Sequence, residues 1–574
     1  MIAFDAPQAD WRLTYEKTGY LETGRYAEAA AYVRKLDEAS PIARAFSIGA
    51  TPEGRSLDIL MISKDRRFTA AERTRSQKPL ILVINGIHSG EIEGKDASLI
   101  LARRMLIEGR YSALLDKIDI AILPIYNADG HERFSAYNRV NQNGPKEMGW
   151  RTNSLNLNLN RDFVKADSPE TKALLTFMND FRPDFFFDNH TTDGGDWQYH
   201  AAYSVPMGPT QDPSVAAWSK RMIDAVTSAC AEDGHPIIPY FGGFNAANPA
   251  AGISVSDFSP RYSTGYGAAI NRPTMLIETH VLKPYKLRVE TTFSMVLRTL
   301  EFCAQDAGAL TAANQAADRR AGQSIADKEV VVEAGASRNG RPFEFLAFAY
   351  TPYESEVSGA TIPKWDRSKP MAVQSLIRDT MEPRGTVRAA YAYVIPAAWK
   401  EAIERLDTHG IAYRKIPKTV SGSFDTYRFQ NLVFPRVSFE GRFNPRFEAV
   451  LVREKRTIPE GSAIVWTAQR RGKMVVHLLE PMAPDSLASW GFFNSVFEEK
   501  EFFEDYAMEP IAKKMMEDDP KLRAEFQGRL KDPAFANSPR QRLAFFYDRS
   551  AFADARLNKY PVIRVSAQEA ALFR

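Results

Sequence analysis

The chain has 574 residues, 44% of them hydrophobic and 25% charged, which is the composition of an ordinary folded protein and enough length for two or three domains. Its 74 basic and 71 acidic residues leave a formal net charge of +3, too near neutral to point to nucleic acid or an anionic membrane as a partner. The two cysteines, Cys230 and Cys303, cannot form a disulfide framework and read as buried thiols. No apolar run approaches the ~20 residues of a membrane span. The opening Met1–Asp10 lacks the basic head and apolar stretch of a signal peptide. Compartment and oligomeric state stay open.

Residues 1–40 read as a helical lead-in, since Arg25 to Leu36 has helical spacing of apolar positions. Strands and helices then alternate. Strands are expected at 57–63, 79–85, 118–125, 184–188 and 274–278, and helices at 91–106, 169–181, 213–231 and 288–305. Such alternation predicts an α/β domain over 41–310, with a mixed, mostly parallel sheet covered by helices on both faces. In that architecture sites lie beyond the carboxyl ends of the strands. Residues 306–328 read as a connecting helix or linker. A C-terminal α+β domain is expected over 328–574. It has β-type runs at 329–350 and 425–481, a strand-helix-strand unit over 391–416, and helices over 485–560. Pro396 is placed for the first turn of that unit's helix and Gly410 for its end.

Five histidines, His88, His131, His190, His200 and His280, stand beside expected strand ends. The strand ending at Asn85 runs into His88-Ser-Gly-Glu91 at a helix start, a spacing that lets an imidazole and a carboxylate converge. Zinc accepts both ligand types, and a catalytic zinc keeps three protein ligands and one open position. Read alone, the pair also fits a surface contact at a helix start. His190, which closes the apolar run Phe185-Phe-Phe-Asp-Asn-His190, reads as the third ligand or as a histidine that merely caps a strand end, with His200 as the fallback ligand. Asp188 or Asn189 would orient it. Glu278, in Met275-Leu-Ile-Glu278-Thr-His280, fits a general base or a structural ion pair, because a carboxylate at the end of an apolar strand needs a task or a partner. His280, two residues on, reads as a supporting residue. The segment Gly149 to Phe163 holds Arg151, Arg161 and many asparagines. Arginine forks bind carboxylates, but a solvated turn-rich loop would look the same. Arg261 and Lys283 read either as surface charges or as contacts for an acidic side chain.

In order along the chain, His88-Ser-Gly-Glu91, Leu159-Asn160-Arg161, Asn189-His190 and Ile277-Glu278 resemble the motifs of the M14 zinc carboxypeptidases, over about residues 15–305. The resemblance implies a carboxypeptidase/phosphorylase-hydrolase-like fold and one zinc ion per chain, held by His88, Glu91 and His190. It implies Glu278 as the base that activates water. Asn160 and Arg161 would grip a terminal carboxylate, and Arg151 would polarise the scissile carbonyl. The implied substrate is a peptide, or a small amide, with a free carboxylate. The interval from the metal motif to His190 is shorter than in the digestive members. The family's active-site tyrosine has no clear match; Tyr262 and Tyr266, in a Gly- and Pro-rich covering segment over 241–270, are the candidates. Two other functions fit the same residues: a deacylase of N-acyl amino acids, and a binding protein that has kept the fold.

Overall fold

A computed structural model of the chain describes residues 10–242 and 248–573. Residues 1–9 of the expected lead-in and 243–247 of the expected covering segment lie outside them.

Among the described residues, ten strands belong to the N-terminal half: β1 Ala43–Ala50, β2 Ser56–Ile62, β3 Leu80–Asn85, β4 Asp119–Leu123, β5 Phe185–Thr192, β6 Ala201–Ser204, β7 Ile237–Pro239, β8 Phe241–Gly242, β9 Ile253–Val255 and β10 Thr274–His280. Eight form one mixed sheet in the order β1-β2-β4-β3-β5-β10-β6-β7. The centre, β4-β3-β5-β10, is parallel throughout. Strand β3, Leu-Ile-Leu-Val-Ile-Asn, is buried along its whole length, as a central parallel strand covered on both faces must be.

Side chains alternate across a strand, and this alternation divides the core in two. Ile81, Val83, Phe185, Phe187 and Ile277 pack with helices Tyr26–Ala39, Glu93–Leu106, Pro213–Glu232 and Tyr285–Gln305. Leu80, Leu82, Ile84 and Phe186 face the other way, onto helices Pro169–Phe181 and Ser263–Ala269. That second layer also contains Tyr393, Met474, Leu478, Trp490 and Tyr560. The C-terminal half therefore covers one face of this sheet directly.

The C-terminal half adds β11 Glu329–Ala336, β12 Arg341–Glu354, β13 Thr361–Arg378, β14 Met381–Arg388, β15 Ala392–Ile395, β16 Arg414–Lys415, β17 Val420–Val433, β18 Arg446–Ile458, β19 Ala463–Trp466 and β20 Ile563–Val565. Six of them form the sheet β16-β19-β15-β20-β17-β18, and β13 pairs with β9. Helices between Asp505 and Tyr547 have a small core of their own. Two expectations change here. Residues Gly472–Leu479 form a helix, not a strand; Met-Val-Val-His-Leu-Leu is buried on every side, so its apolar run carries no period to distinguish the two. Pro396 precedes its helix, which begins at Lys400, while Gly410 does end it with φ +63°. Cys230 and Cys303 are buried and free, as expected. No helix among the described residues is long and apolar enough to cross a membrane.

The helix that follows β3 sits unusually close to the sheet at Gly94. A Cβ there would lie 2.6 Å from Asn189 Cβ and closer still to Asn85 Oδ1. Helix propensity alone predicts that Gly94→Ala stabilises by ~1 kcal/mol. The packing predicts instead a loss of ~1–3 kcal/mol, read as a lower urea midpoint; an unchanged or raised midpoint would refute the close approach.

Candidate metal centre

His88 and Glu91 lie in the turn between β3 and its helix, closed by the bond from Glu91 N–H to the His88 carbonyl (2.8 Å). His190 lies near the end of the neighbouring parallel strand β5. Asn85 and Asn189 are in register, so this turn and the end of β5 emerge side by side at one edge of the sheet.

Three donor atoms meet there. His88 Nδ1 and His190 Nδ1 are 3.2 Å apart, and Glu91 Oε2 is 3.2 Å from the first and 2.9 Å from the second. A tetrahedral zinc with bonds of about 2.0–2.1 Å needs ligand atoms about 3.3–3.4 Å apart, so the triangle fits after an expansion of a few tenths of an ångström. All three residues are buried.

The tautomers also fit. Asn158 Oδ1 accepts from the Asn160 backbone N–H (3.0 Å), which fixes it as an oxygen acceptor. The same atom is 2.9 Å from His88 Nε2, so that nitrogen carries the proton and Nδ1 turns a lone pair to the centre. His190 Nε2 lies 2.8 Å from Asp188 Oδ1. Asp188 is two residues back on the same strand face, and its other oxygen accepts from Ser263 Oγ (2.5 Å).

Glu91 is held from behind by Arg139, whose Nη1 donates to Oε1 (2.6 Å) and whose Nη2 donates to the Thr191 carbonyl (3.2 Å). Burial alone would raise the Glu91 carboxyl, but Arg139 and the two imidazoles hold it well below the usual carboxylate range. Burial pushes His88 down to about 4, keeping it neutral and able to ligate. Burial opposes charge on His190 too, yet Asp188 and Glu91 outweigh it and raise its pKa. Three acidic groups, Glu91, Asp188 and Glu278, thus surround a buried point, an arrangement that favours a cation.

Glu278 lies opposite His190 in the β5–β10 register. Burial, with Glu91 and Asp188 nearby, pushes its carboxyl up to about 8, where it can take and return a proton near neutral pH. Arg151, half-exposed, points Nη1 at Glu91 Oε1 and His88 Nδ1 (3.3 Å each). Asn160 is buried beside His190, 3.4 Å from its Nε2. Arg161 donates to the Asn160 carbonyl (2.7 Å) and stacks over the Tyr262 ring at 4.3 Å. No carboxylate among the described residues lies within ion-pair distance of Arg161, so its fork is available to an incoming one.

Several expectations are corrected. Tyr266 is buried in the core, with its hydroxyl 3.2 Å from His409 Nδ1, and cannot meet substrate. Helical spacing from the Tyr262 cap carries it under the sheet rather than to the site. His200 faces His235 (3.3 Å between Nδ1 atoms) and is no part of the triangle. His280 packs edge-on against Trp197, and His131 contacts Glu132. Arg261 is paired with Asp485 and Lys283 with Asp196, so neither is a surface charge nor open to a ligand. Asn158 and Arg139 were missed as site residues. Asn158 stood inside the asparagine-rich loop with nothing to separate it from its neighbours. For Arg139 the signal was Gly90, whose missing Cβ leaves room for that side chain.

Residues 29–228 match the family model for the M14 peptidases described as zinc carboxypeptidase. That stretch belongs to the M14 zinc carboxypeptidases, and the chain carries a metallopeptidase domain whose family uses zinc. The match includes His88, Glu91, Asn160, Arg161 and His190 and stops short of Glu278. The chain is similar to carboxypeptidase 2 of Trichophyton rubrum, 24% identical over 477 residues that span 76% of this chain and 78% of that protein. It is similar to human carboxypeptidase Z, 24% identical over 250 residues, 37% of this chain and 36% of that one. Among solved structures, carboxypeptidase A from Helicoverpa armigera aligns with 17% identity and a TM-score of 0.38, over 54% of this chain and 77% of that one.

Removing the carboxylate that holds His190 tests the triangle. Asp188→Ala should weaken zinc binding by roughly 10- to 100-fold in a chelator competition. Unchanged affinity would mean that His190 is not a ligand.

Proposed function

We propose that the chain is a zinc carboxypeptidase that binds one zinc ion through His88, Glu91 and His190 and releases the last residue of a peptide. The observation that carries the reading is the convergence of one ligand atom each from His88, Glu91 and His190 beside a protonatable carboxyl, Glu278, and an arginine, Arg161, without an acidic partner among the described residues.

When bound, zinc supplies Lewis acidity, making water nucleophilic near neutral pH and polarising a carbonyl. Glu278 removes the proton from the attacking water and delivers it to the departing amine, so one carboxyl serves both steps. Arg151 offers an N–H fork to the negative charge that develops on the carbonyl oxygen. Arg161 and Asn160 hold the terminal carboxylate, which sets the reach of the site at one residue from the chain end. Tyr262, stacked under Arg161, fixes the plane of that fork. In this reading residues 41–310 carry the chemistry and 328–574 form a module that walls and braces the site. No nucleic acid enters the scheme.

Four outcomes check it. Chelation should abolish hydrolysis and added zinc restore it, while Glu278→Gln should keep zinc and lose roughly 100- to 10,000-fold in kcat. A Glu278→Gln enzyme with normal turnover would overturn the base assignment. Amidating the peptide's end, or changing Arg161→Ala, should cut kcat/KM on the order of 100-fold, the scale for breaking a buried charge pair. Equal rates on free and amidated ends would contradict a carboxypeptidase, and release only from N-acyl amino acids would make the enzyme a deacylase.

A further inference from the structure

The metal centre described above depends on Asn158, and Asn158 is itself held from far away in sequence. Its backbone N–H donates to Glu440 Oε2 at 2.7 Å, across 282 residues. Glu440 lies at the tip of the β17–β18 hairpin, outside the stretch that matches the carboxypeptidase family.

The tip is a tight turn. Phe439 and Arg442 exchange both backbone hydrogen bonds, at 2.8 and 3.1 Å. The two residues between them, Glu440 and Gly441, have φ of +51° and +78°. This is the pattern of a type I′ hairpin turn, whose first central position favours Asn, Asp or Gly. Glutamate is a poor choice there for the turn itself. A residue held in a conformation it disfavours points to a task for its side chain.

The turn is also anchored independently of Glu440. Arg442 forms a bidentate pair with Asp167 (2.7 Å for both bonds) and lies 3.8 Å over the Phe492 ring. Phe439 stacks on Trp490, with centroids 6.0 Å apart and planes 12° apart. The carboxylate of Glu440 is thus delivered to Asn158 from a braced platform. Asn158 Oδ1 serves two groups at once, His88 Nε2 and the N–H of Asn160. The first sets a metal-binding imidazole; the second caps the short turn Leu159–Arg161 that carries the carboxylate fork.

We infer that Glu440 is a positioning residue of the metal centre: through the Asn158 N–H it fixes the loop that orients both His88 and Asn160–Arg161. The C-terminal half therefore completes the site. The inference rests on the proposed zinc centre.

Glu440→Asn tests it, because asparagine suits the turn but is too short to reach Asn158. Glu440→Gln keeps the reach and an acceptor oxygen. For each protein three quantities are read: zinc affinity by competition with a chromophoric chelator, the visible spectrum of the cobalt-substituted enzyme, and the Tm of the metal-free protein. Glu440→Asn should bind zinc about tenfold more weakly, show an altered cobalt spectrum and have an unchanged or higher metal-free Tm. Glu440→Gln should stay within about twofold of wild type in zinc affinity. Wild-type zinc affinity and cobalt spectrum in Glu440→Asn would overturn the inference. So would a fall in affinity accompanied by a lower metal-free Tm, the signature of a merely structural role. Equal damage in Glu440→Gln would also refute the hydrogen-bond account. A wild-type protein that takes up no zinc would sink the metal centre itself, and this inference with it.

Discussion

The gathering of three carboxyl groups around one point, two of them buried, is the constraint on which the rest of the structure depends. Glu91 and Asp188 are buried at the end of a parallel sheet, and Glu278 lies half-buried beside them. Such a cluster is tolerable only if positive charge and hydrogen-bond donors converge on it. The fold supplies them in layers. Arg139 and the Thr191 N–H hold Glu91, the imidazole of His190 meets Asp188, and Ser263 binds that carboxylate's other oxygen. One face of the cluster is left to two imidazole lone pairs and a carboxylate oxygen, which is the donor set of a catalytic zinc site.

That arrangement explains the placing of the other elements. The parallel register of β3, β5 and β10 brings the turn after one strand, the end of the second and Glu278 of the third to one edge. The helix after β3 can pack tightly there because Gly94 has no side chain. The loop from Gly149 to Asp162 crosses the same edge. It is pinned on one side by the His88 imidazole and on the other by the hairpin tip at Glu440. The partly buried Asp167–Arg405–Arg442 network ties the same region to the C-terminal half. These contacts make the two halves of the chain one cooperative surface around the site.

The central sheet was legible because buried parallel strands are continuous apolar runs, and the expected strands and helices of the first 305 residues fall close to the observed ones. Strand β1 was not, since Ala43–Ala50 is half-exposed and weakly alternating. The long hairpin strand β13 also escaped notice: Thr361–Arg378 is mostly exposed and rich in charge and proline, so it carries no hydrophobic period. At the site, His88 and Glu91 stood out through a local spacing, whereas His190 and Glu278 needed the family resemblance. Asn158, Arg139 and Glu440 act through contacts between segments distant in sequence, and nothing local separates them from loop residues. Tyr266 illustrates the converse: a tyrosine in the right segment whose helical phase turns it into the core.

The most direct test of the central claim is X-ray absorption on the zinc-loaded protein, combined with its metal content. The account predicts one zinc per chain with two imidazole nitrogens at about 2.0–2.1 Å and carboxylate oxygen at about 2.0–2.2 Å. The imidazole signal should fall by half in His190→Ala. A coordination sphere without imidazole scattering, or one that His190→Ala leaves unchanged, would contradict it.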